Sequence, residues 1–388
     1  MSPIIIIGAG LAGWTTAREF RKLDTTTPVM LITLDSGDFY AKPSLSNAFA
    51  QGRAPAQLVS TPAAKMAETL DVKLLAHTRV EAMNPATRTI ATSQGDFGYS
   101  QLVLATGAQP IRVPVAGDAA DRVHSVNSLD DFSAFHARLT DPQATGKHVL
   151  IMGAGLIGCE FANDLATAGH QVTVADPATG PMAALLPLEA SAQLRDALAA
   201  LGVAWHFGAT VKSVNLATDA GAQDSALRVE LSNGHAAHVD IVLSAIGLRA
   251  DTALAQAAGL ACERGIVVDA ALQSSSPHIY ALGDGAQYAS ADNRTLPYVM
   301  PIMSAARALA ATLAGTRTEV VFGLMPVSIK TPALPLVVVA PAPGTPGDWR
   351  NGEPGLWQFM GAQGQARGFV LAGKQTSRRV EQAKLILA

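Results

Sequence analysis

Two glycine-rich fingerprints, 145 positions apart (153 − 8), constrain this chain more than any other feature of its sequence. The first reads GAGLAG over residues 8–13 and follows an apolar run; the second reads GAGLIG over residues 153–158 and follows another. In a turn between a strand and a helix, the first glycine bends the chain and the second lets backbone approach a phosphate. The third glycine packs the helix against the strand. The repeat therefore predicts two α/β nucleotide-binding domains in one chain, and an enzyme that moves electrons between two nucleotides.

A carboxylate follows each fingerprint at the distance expected of a nucleotide-binding strand. A helix is predicted over residues 11–23 and a strand over 29–34, and Asp35 lies 22 positions beyond Gly13 (35 − 13). The second unit has a predicted helix over residues 156–168 and a strand over 172–175, with Asp176 18 positions beyond Gly158 (176 − 158). An acid in this place accepts hydrogen bonds from ribose hydroxyls. For Asp35, an ordinary turn-forming role before residues 36–37 stays open.

The residues after Asp176 indicate which nicotinamide nucleotide binds there. A site for NADPH is expected to carry an arginine just beyond the acid, where it meets the 2′-phosphate. Residues 177–180 read PATG and contain no arginine. The sequence therefore favours NADH over NADPH.

The order of predicted elements changes near residue 315. Before it, strands and helices alternate, which is typical of parallel sheets with crossover helices; further strands are predicted over residues 102–105, 241–246 and 279–282, and a meander over 213–239. After it, several prolines interrupt the chain and a strand is predicted over residues 336–340. Residues 320–388 carry seven lysines and arginines against three acids, a net charge of +4. A third, basic domain is predicted there.

Composition excludes several classes of function. The 388 residues suit two or three domains, and the net charge of −3 gives no basis for binding nucleic acid. Only two cysteines are present, Cys159 and Cys262, too far apart to suggest a disulfide framework, and the nine histidines show no metal-ligand spacing. No basic leader precedes the first strand, and the apolar runs are too short for a membrane span. A soluble, cytoplasmic protein without a metal site is expected.

Taken in order, both fingerprints and residues 102–107 and 282–284 resemble those of two-dinucleotide-binding flavoproteins, over essentially the whole chain. These pyridine-nucleotide-dependent reductases hold FAD in the first site and NAD(P)H in the second. Residues 40–46, 153–165, 298–301 and 325–332 more specifically resemble the rubredoxin-NAD reductases of bacterial alkane-oxidising systems. The reductases that serve flavorubredoxin are second nearest. The ferredoxin reductases of aromatic dioxygenases have a basic residue where Asn47 stands here, which counts against them.

This resemblance implies an α/β fold with two Rossmann-like dinucleotide-binding domains and a smaller C-terminal α+β domain. The FAD domain is split into residues 1–112 and 248–318 by an inserted NADH domain, residues 113–247. The C-terminal domain comprises residues 319–388.

The resemblance also implies the site residues. FAD would contact Gly8, Ala9, Gly10, Ala12, Gly13, Asp35, Lys42, Val80, Ala105, Thr106, Gly107, Glu160, Gly283, Asp284, Val299 and Lys330. NADH would contact Gly153, Gly155, Ile157, Gly158, Asp176 and Gly247. Lys42 would pair with Glu160 beside the flavin as the catalytic residues, the cation stabilising negative charge on reduced flavin. An ordinary structural role stays open for three of these residues. Glu160 would be an acid favoured early in a helix, Asp284 would form a turn, and Lys330 would lie on the surface.

The cysteine inventory narrows the chemistry. A disulfide reductase needs a cysteine pair beside the flavin, and residues 40–49 contain no cysteine. Electrons are therefore expected to leave the flavin singly. Together with this, the resemblance implies an NADH:rubredoxin reductase with tightly bound FAD, which docks acidic rubredoxin on its basic C-terminal region. Flavorubredoxin and ferredoxin are the alternative acceptors. A membrane-associated NADH:quinone reductase, anchored by a helix over residues 377–388, and an FAD-stabilised interaction protein are weaker alternatives.

Overall fold

A computed structural model of the chain describes residues 2–140, 146–217 and 227–387. These residues form two compact units. Unit 1 comprises Met1–Ala41, Val59–Gln109 and Leu248–Met325, and unit 2 comprises Lys42–Leu58, Pro110–Gly247 and Pro326–Ala388. The chain therefore passes between units several times. The predicted domain boundaries, which follow the resemblance, stay a prediction.

Unit 1 is built on a five-stranded parallel sheet with the first strand of the chain at its centre. Its strands, in spatial order, are Ile279–Ala281, Gln101–Leu104, Ile4–Ile7, Val29–Ile32 and Val72–Leu75. The central strand is four consecutive isoleucines, all buried, as expected of a parallel strand covered on both faces. The helices are Leu11–Arg21, Ala63–Leu70, Ala253–Ala257 and Val299–Leu313.

Smaller elements complete unit 1. Strands Val80–Asn84, Thr89–Thr92 and Gly95–Gly98 form an antiparallel sheet, Phe39–Tyr40 pairs with Val59–Thr61, and Ile266–Val268 pairs with Ala286–Tyr288. Short strands Ala108–Pro110 and Leu248–Ala250 and the 3₁₀ turns Gly283–Gly285 and Ala289–Ala291 connect them. Trp14 and Phe20 on the first fingerprint helix are fully buried in the core.

Unit 2 repeats the five-stranded parallel sheet. Its strands, in spatial order, are Val123–His124, Ile241–Ser244, His148–Met152, Gln171–Asp176 and Ala204–Phe207. The helices are Leu129–Leu139, Leu156–Thr167 and Leu188–Ala199, with 3₁₀ turns at Lys42–Asn47, Pro55–Leu58 and Ala120–Arg122. The predicted meander consists of Val211–Leu216, Leu227–Leu231 and Ala236–Val239; residues 218–226, also within that prediction, lie outside the described residues.

The C-terminal part of unit 2 is a five-stranded antiparallel sheet followed by a helix. The strand order is Val327–Ile329, Leu336–Val339, Ala366–Ala372, Leu356–Gly361 and Gly347–Glu353. A 3₁₀ turn at Gly373–Arg378 leads into the helix Arg379–Leu387. The predicted α/β class, with two Rossmann-like sheets and a C-terminal α+β segment, is confirmed.

The terminal helix bears on the membrane alternative. Its buried side chain is polar: Gln382 is 2% exposed and accepts a hydrogen bond from Gln358 at 2.7 Å. Val380, an apolar residue of the same helix, is 61% exposed, and the side chain of Leu387 lies outside the description. Within the described ranges, no helix is long and apolar enough to cross a bilayer.

Candidate functional site

The first fingerprint forms an open cradle at the start of a helix. A Cβ on Gly8 would overlap the carbonyl oxygen of Ala105, and a Cβ on Gly13 would overlap that of Gly8. Gly10, in contrast, has no atom within 4 Å of its would-be Cβ, so space lies beside the first turn of the helix. Crowded first and third glycines around an open second one match the backbone geometry that a pyrophosphate requires, so these residues fit a dinucleotide.

The second fingerprint repeats this geometry in unit 2. A Cβ on Gly153 would lie 2.7 Å from the carbonyl oxygen of Ala245, and one on Gly158 would overlap the carbonyl oxygen of Gly153. Gly155 caps the helix Leu156–Thr167 and again faces open space. Ile157 is 40% exposed beside it, an unusual exposure for a large apolar side chain. These residues also fit a dinucleotide.

The carboxylates after the two fingerprints have different partners. Asp35 accepts hydrogen bonds within its own turn, from the Thr33 hydroxyl at 2.6 Å and the Gly37 amide at 3.0 Å. Asp176 accepts one from the amide of Ala154, inside the second fingerprint, at 2.6 Å, and another from Ala178 at 2.7 Å. Asp176 is therefore tied directly to the cradle that precedes it.

Several predicted flavin contacts gather near the first cradle. Gly283 has a φ of +82°, and a Cβ there would lie 3.0 Å from that of Ala12. The Thr106 hydroxyl donates to the carbonyl of Asp251 at 2.9 Å, and a Cβ on Gly285 would lie 2.9 Å from the carbonyl oxygen of Gly107. Asp284 is half-buried in the 3₁₀ turn that follows Gly283.

The remaining predicted contacts of unit 1 lie at element ends. Val80 begins a strand just beyond His77, whose amide donates to the carbonyl of Asp35 at 3.0 Å. Val299 begins the helix Val299–Leu313 and is 43% exposed. In unit 2, Gly247 has a φ of +112° and its carbonyl accepts a bond from Ile111. The predicted roles of these residues stay predictions.

The strongest electrostatic feature of unit 2 is a buried carboxylate held by a lysine. Glu160 is 1% exposed and pairs with the Lys330 ammonium at 2.9 Å. The same carboxylate oxygen, Oε2, also accepts a hydrogen bond from the Ser46 hydroxyl at 2.6 Å, and the other oxygen, Oε1, accepts one from the Lys330 backbone amide at 2.9 Å. Three donors thus satisfy a carboxylate that would be costly to bury alone. The Lys330 ammonium also donates to the carbonyl of Pro43.

Lys42, the predicted partner of Glu160, begins the 3₁₀ turn Lys42–Asn47 that also contains Ser46. Its ammonium donates to the side-chain oxygen of Asn127 at 3.1 Å. Lys42, Glu160 and Lys330 therefore all belong to unit 2, whereas the first fingerprint belongs to unit 1. The pairing of Lys42 with Glu160 stays a prediction.

Two further polar residues on the second fingerprint helix were missed from the sequence. Asp164 is 2% exposed and accepts the backbone amides of Phe49 at 3.0 Å and Ala50 at 2.9 Å. Burial raises the pKa of the Asp164 carboxyl, against hydrogen bonds from the amides that lower it. Asn163 is 1% exposed and accepts the amide of Ala333 at 3.0 Å. Polar residues three and four positions after Glu160, within an otherwise apolar helix, were the available signal.

A groove lies between the two segments that this helix holds. It has a volume of about 610 Å³, and residues 43–53 form one wall and residues 329–335 the other. Arg53 and Lys330 supply positive charge, Asn47 and Gln51 supply amides, and three prolines and Ile329 are among the apolar lining residues. The lining contains no carboxylate, so the groove suits an acidic or neutral surface better than a basic one.

The two cysteines are free thiols. Cys159 is fully buried next to Glu160 on the fingerprint helix, and burial raises its pKa well above the usual range. Cys262 lies in unit 1, half-buried, and burial raises its pKa as well. Neither thiol has the low pKa of a redox-active cysteine.

Comparison with known families agrees with this architecture. Residues 2–311 match the family described as pyridine nucleotide-disulphide oxidoreductase. Residues 319–386 match a second one, described as the rubredoxin binding C-terminal domain. The second match covers the C-terminal antiparallel sheet and the helix that follows it.

Individual relatives cover nearly the whole chain. A rubredoxin-NAD(+) reductase of Alcanivorax borkumensis is 42% identical over 98% of this chain and 97% of its own length. A nitric oxide reductase FlRd-NAD(+) reductase of Aeromonas salmonicida is 39% identical over 96% of this chain and 94% of its own. Among solved structures, the ferredoxin reductase for the CYP199A2 system from Rhodopseudomonas palustris superposes with a TM-score of 0.86, at 27% identity, over 98% of this chain and 93% of that one. The chain belongs to the pyridine nucleotide-disulphide oxidoreductase family, in the group that includes the rubredoxin-NAD(+) reductases.

Proposed function

We propose that the protein is an FAD-dependent NADH:rubredoxin oxidoreductase. The observation that carries the proposal is the union, in one chain, of two complete glycine cradles and a C-terminal sheet that matches a rubredoxin-binding domain. A dehydrogenase that reduces a diffusing substrate needs one nucleotide cradle. Two cradles with no redox-active thiol suit an enzyme that collects electrons in pairs and passes them to a protein.

The first cradle is proposed to hold FAD permanently. Bound FAD would accept two electrons from NADH and release them one at a time. Gly10 leaves room for its pyrophosphate at the helix N-terminus, Asp35 would accept from the ribose, and Asp284 would accept from the ribitol chain. The N-terminus of the helix that begins at Val299 offers free backbone amides of positive character to an anionic ring edge.

The second cradle is proposed to exchange NADH. Asp176 keeps lone pairs for ribose hydroxyls while it braces the amide of Ala154. Its negative charge would repel a 2′-phosphate, and the following residues offer no arginine to offset that repulsion. The proposed preference for NADH rests on these two features.

Glu160, Lys330 and Lys42 are proposed to tune the reduction of the flavin. The buried carboxylate of Glu160 fixes the Lys330 ammonium, which would otherwise be a mobile surface cation. Fixed positive charge from Lys42 and Lys330 would favour the anionic reduced state, and so would raise its tendency to accept hydride. A preorganised ion pair supplies this field without further rearrangement.

The acceptor is proposed to be rubredoxin, an acidic iron protein, docked on the basic C-terminal region. The groove between residues 43–53 and 329–335 contains Arg53 and Lys330 and no carboxylate, which fits a partner of opposite charge. Such an encounter is fast, weak and sensitive to salt. The similarity to the Aeromonas enzyme makes flavorubredoxin the second candidate acceptor.

The decisive experiment is steady-state NADH oxidation with rubredoxin, flavorubredoxin, ferredoxin and a quinone in turn. We expect the highest kcat/KM with rubredoxin and a fall of at least about tenfold between low and high ionic strength. An Arg53→Gln variant should weaken that salt dependence. The control is Arg195→Gln, which changes an exposed side chain of the helix Leu188–Ala199, outside the groove. Faster turnover with ferredoxin or a quinone would reject rubredoxin as the acceptor, and a flavin that NADH does not bleach under anaerobic conditions would reject the enzyme.

A further inference from the structure

The helix Leu156–Thr167 has a polar buried stripe that the proposed chemistry only partly uses. Glu160 holds the ion pair with Lys330, but Asp164, one turn later, contacts neither lysine through a bond. Asp164 is 2% exposed, and a carboxylate so deeply buried is costly unless every strong acceptor site is used. Its two oxygens are each used by a backbone amide, of Phe49 and of Ala50.

These two amides belong to the segment that begins at Lys42. The 3₁₀ turn Lys42–Asn47 brings Ser46 to Glu160, and the chain then continues directly to Phe49. Phe49 is 8% exposed and packs against aromatic rings of the neighbouring helix, Phe132 at 5.4 Å and Phe135 at 5.7 Å between centroids. The segment is thus anchored behind Ser46 by one carboxylate and one aromatic side chain.

We propose that Asp164 is a positioning residue for flavin reduction: it fixes the backbone of residues 49–50, so that Ser46 keeps its hydrogen bond to Glu160 and the turn that begins at Lys42 keeps its place. The inference rests on the proposed function, in which Lys42 and Glu160 act at the flavin. Asp164 touches neither cofactor nor substrate in this scheme. Both carboxylates project from one rigid helix, so the distance between the anchor and Glu160 is fixed by the helical repeat.

The isosteric change Asp164→Asn tests the idea. An amide has one acceptor oxygen, so its NH₂ group would face one of the two backbone donors and displace the segment. We expect the limiting rate of flavin reduction by NADH in anaerobic stopped flow to fall about tenfold, because displacements of the order of an ångström have effects of this size or larger. The NADH concentration at half-maximal rate should change less than about twofold. Asp196→Asn, an exposed acid on another helix, is the matched control and should behave as wild type.

A double-variant comparison separates positioning from general destabilisation. If Asp164 acts through Ser46, the Asp164→Asn/Ser46→Ala double variant should be no slower than Asp164→Asn alone. A merely structural Asp164 would give effects that multiply, and this result would overturn the proposal, as would a wild-type limiting rate in Asp164→Asn. Should Asp164→Asn yield no folded flavoprotein, Asp164→Glu is judged by the same two criteria. A wild-type flavin that NADH fails to reduce would instead refute the proposed function.

Discussion

The two fingerprint helices share a backbone and differ in what their buried faces do. They can be compared position by position at the offset of 145, which places Thr15 opposite Glu160, Arg18 opposite Asn163 and Glu19 opposite Asp164. In unit 1 the buried Thr15 hydroxyl has only a weak contact, to a methionine sulfur at 3.9 Å. Glu160, at the same place in unit 2, accepts three hydrogen bonds.

The two fingerprints therefore share the geometry of their cradles and differ in the helix face that follows. In both units a Cβ on the first glycine would meet a carbonyl oxygen of another segment, and a Cβ on the third would meet the carbonyl oxygen of the first, so only glycine fits at these two positions. The helix face beyond them is free to vary. In unit 1 it is part of the core, and in unit 2 it clamps two segments from distant parts of the chain.

The third glycines should give the largest effects and the cleanest contrast. In each case the added Cβ would overlap a backbone oxygen of the same unit. Gly13→Ala should therefore abolish FAD retention. Gly158→Ala should still bind FAD but lose saturable NADH oxidation. Flavin content by absorbance and NADH titration measure the two losses. Gly98→Ala, whose Cβ would meet nothing nearer than 3.8 Å, is the control. Loss of FAD from both fingerprint variants would contradict the assignment of one nucleotide to each unit.

Glu160→Ala and Thr15→Ala test the two buried helix faces. Removing Glu160 takes away the carboxylate shared by the Lys330 ammonium, the Lys330 amide and the Ser46 hydroxyl. We expect this to destabilise the protein by about 3 kcal/mol and to slow flavin reduction at least about tenfold. Thr15→Ala should cost about 1 kcal/mol or less and leave the rate unchanged. Thermal melting and stopped flow are the measurements. Equal effects of the two changes would show that the buried faces of the two fingerprint helices do not differ in function.

The acids after the fingerprints should give smaller and separable effects. Asp176→Ala should raise the KM for NADH about tenfold and reduce the enzyme's preference for NADH over NADPH. Asp176 accepts the amide of Ala154 in the second cradle, and its charge would repel a 2′-phosphate. Asp35→Ala should weaken FAD retention and leave the KM for NADH unchanged, because the Asp35 carboxylate accepts hydrogen bonds from Thr33 and Gly37 of its own turn. Initial rates of NADH and NADPH oxidation by each variant measure these effects. An unchanged nucleotide preference in Asp176→Ala would rule out its selective role.

As the pH falls, we expect unit 2 to lose stability before unit 1, by a modest amount. Burial lowers the pKa of five histidines of unit 2 below the usual 6.5, namely His124, His136, His148, His170 and His206. The unfolded chain therefore binds protons first as pH falls, so stability present above pH 6.5 is lost as pH falls through the lower folded values. Hydrogen exchange at about pH 7.5 and 5.5 should show unit 2 opening more at the lower pH. Uniform protection across both units would contradict this.

The sequence was sufficient for the features that local patterns encode. Both parallel sheets and the helices after the fingerprints occur where apolar runs and glycines predicted them, and the strand predicted over residues 336–340 is Leu336–Val339 of the C-terminal sheet. Boundaries moved by a few residues: the strand predicted over residues 29–34 is Val29–Ile32, and the helix predicted over residues 11–23 is Leu11–Arg21. Ends of elements depend on turn geometry rather than on periodicity, which explains these shifts.

Local sequence patterns could not predict the contacts that bring the residues of the candidate site together. The bond from Glu160 to Lys330 joins residues 170 positions apart, and that from Phe49 to Asp164 joins residues 115 apart. Nothing near Lys330 in sequence specifies an acidic partner, so the resemblance placed Glu160 with Lys42 alone. Asp164 and Asn163 were overlooked because an acid and an amide in a helix usually face solvent. Their burial follows from tertiary packing, which periodicity alone does not reveal.

The sealed position of Cys159 has a practical consequence for following this protein by spectroscopy. With that thiol fully buried and its pKa raised, a maleimide reagent has one native target, Cys262. A Cys262→Ser variant should therefore not react with maleimide reagents and can serve as the starting protein for labelling. One new surface cysteine, in the basic C-terminal region or on an exposed turn of unit 1, could then carry a fluorescent or spin probe and report on that part of the molecule during turnover.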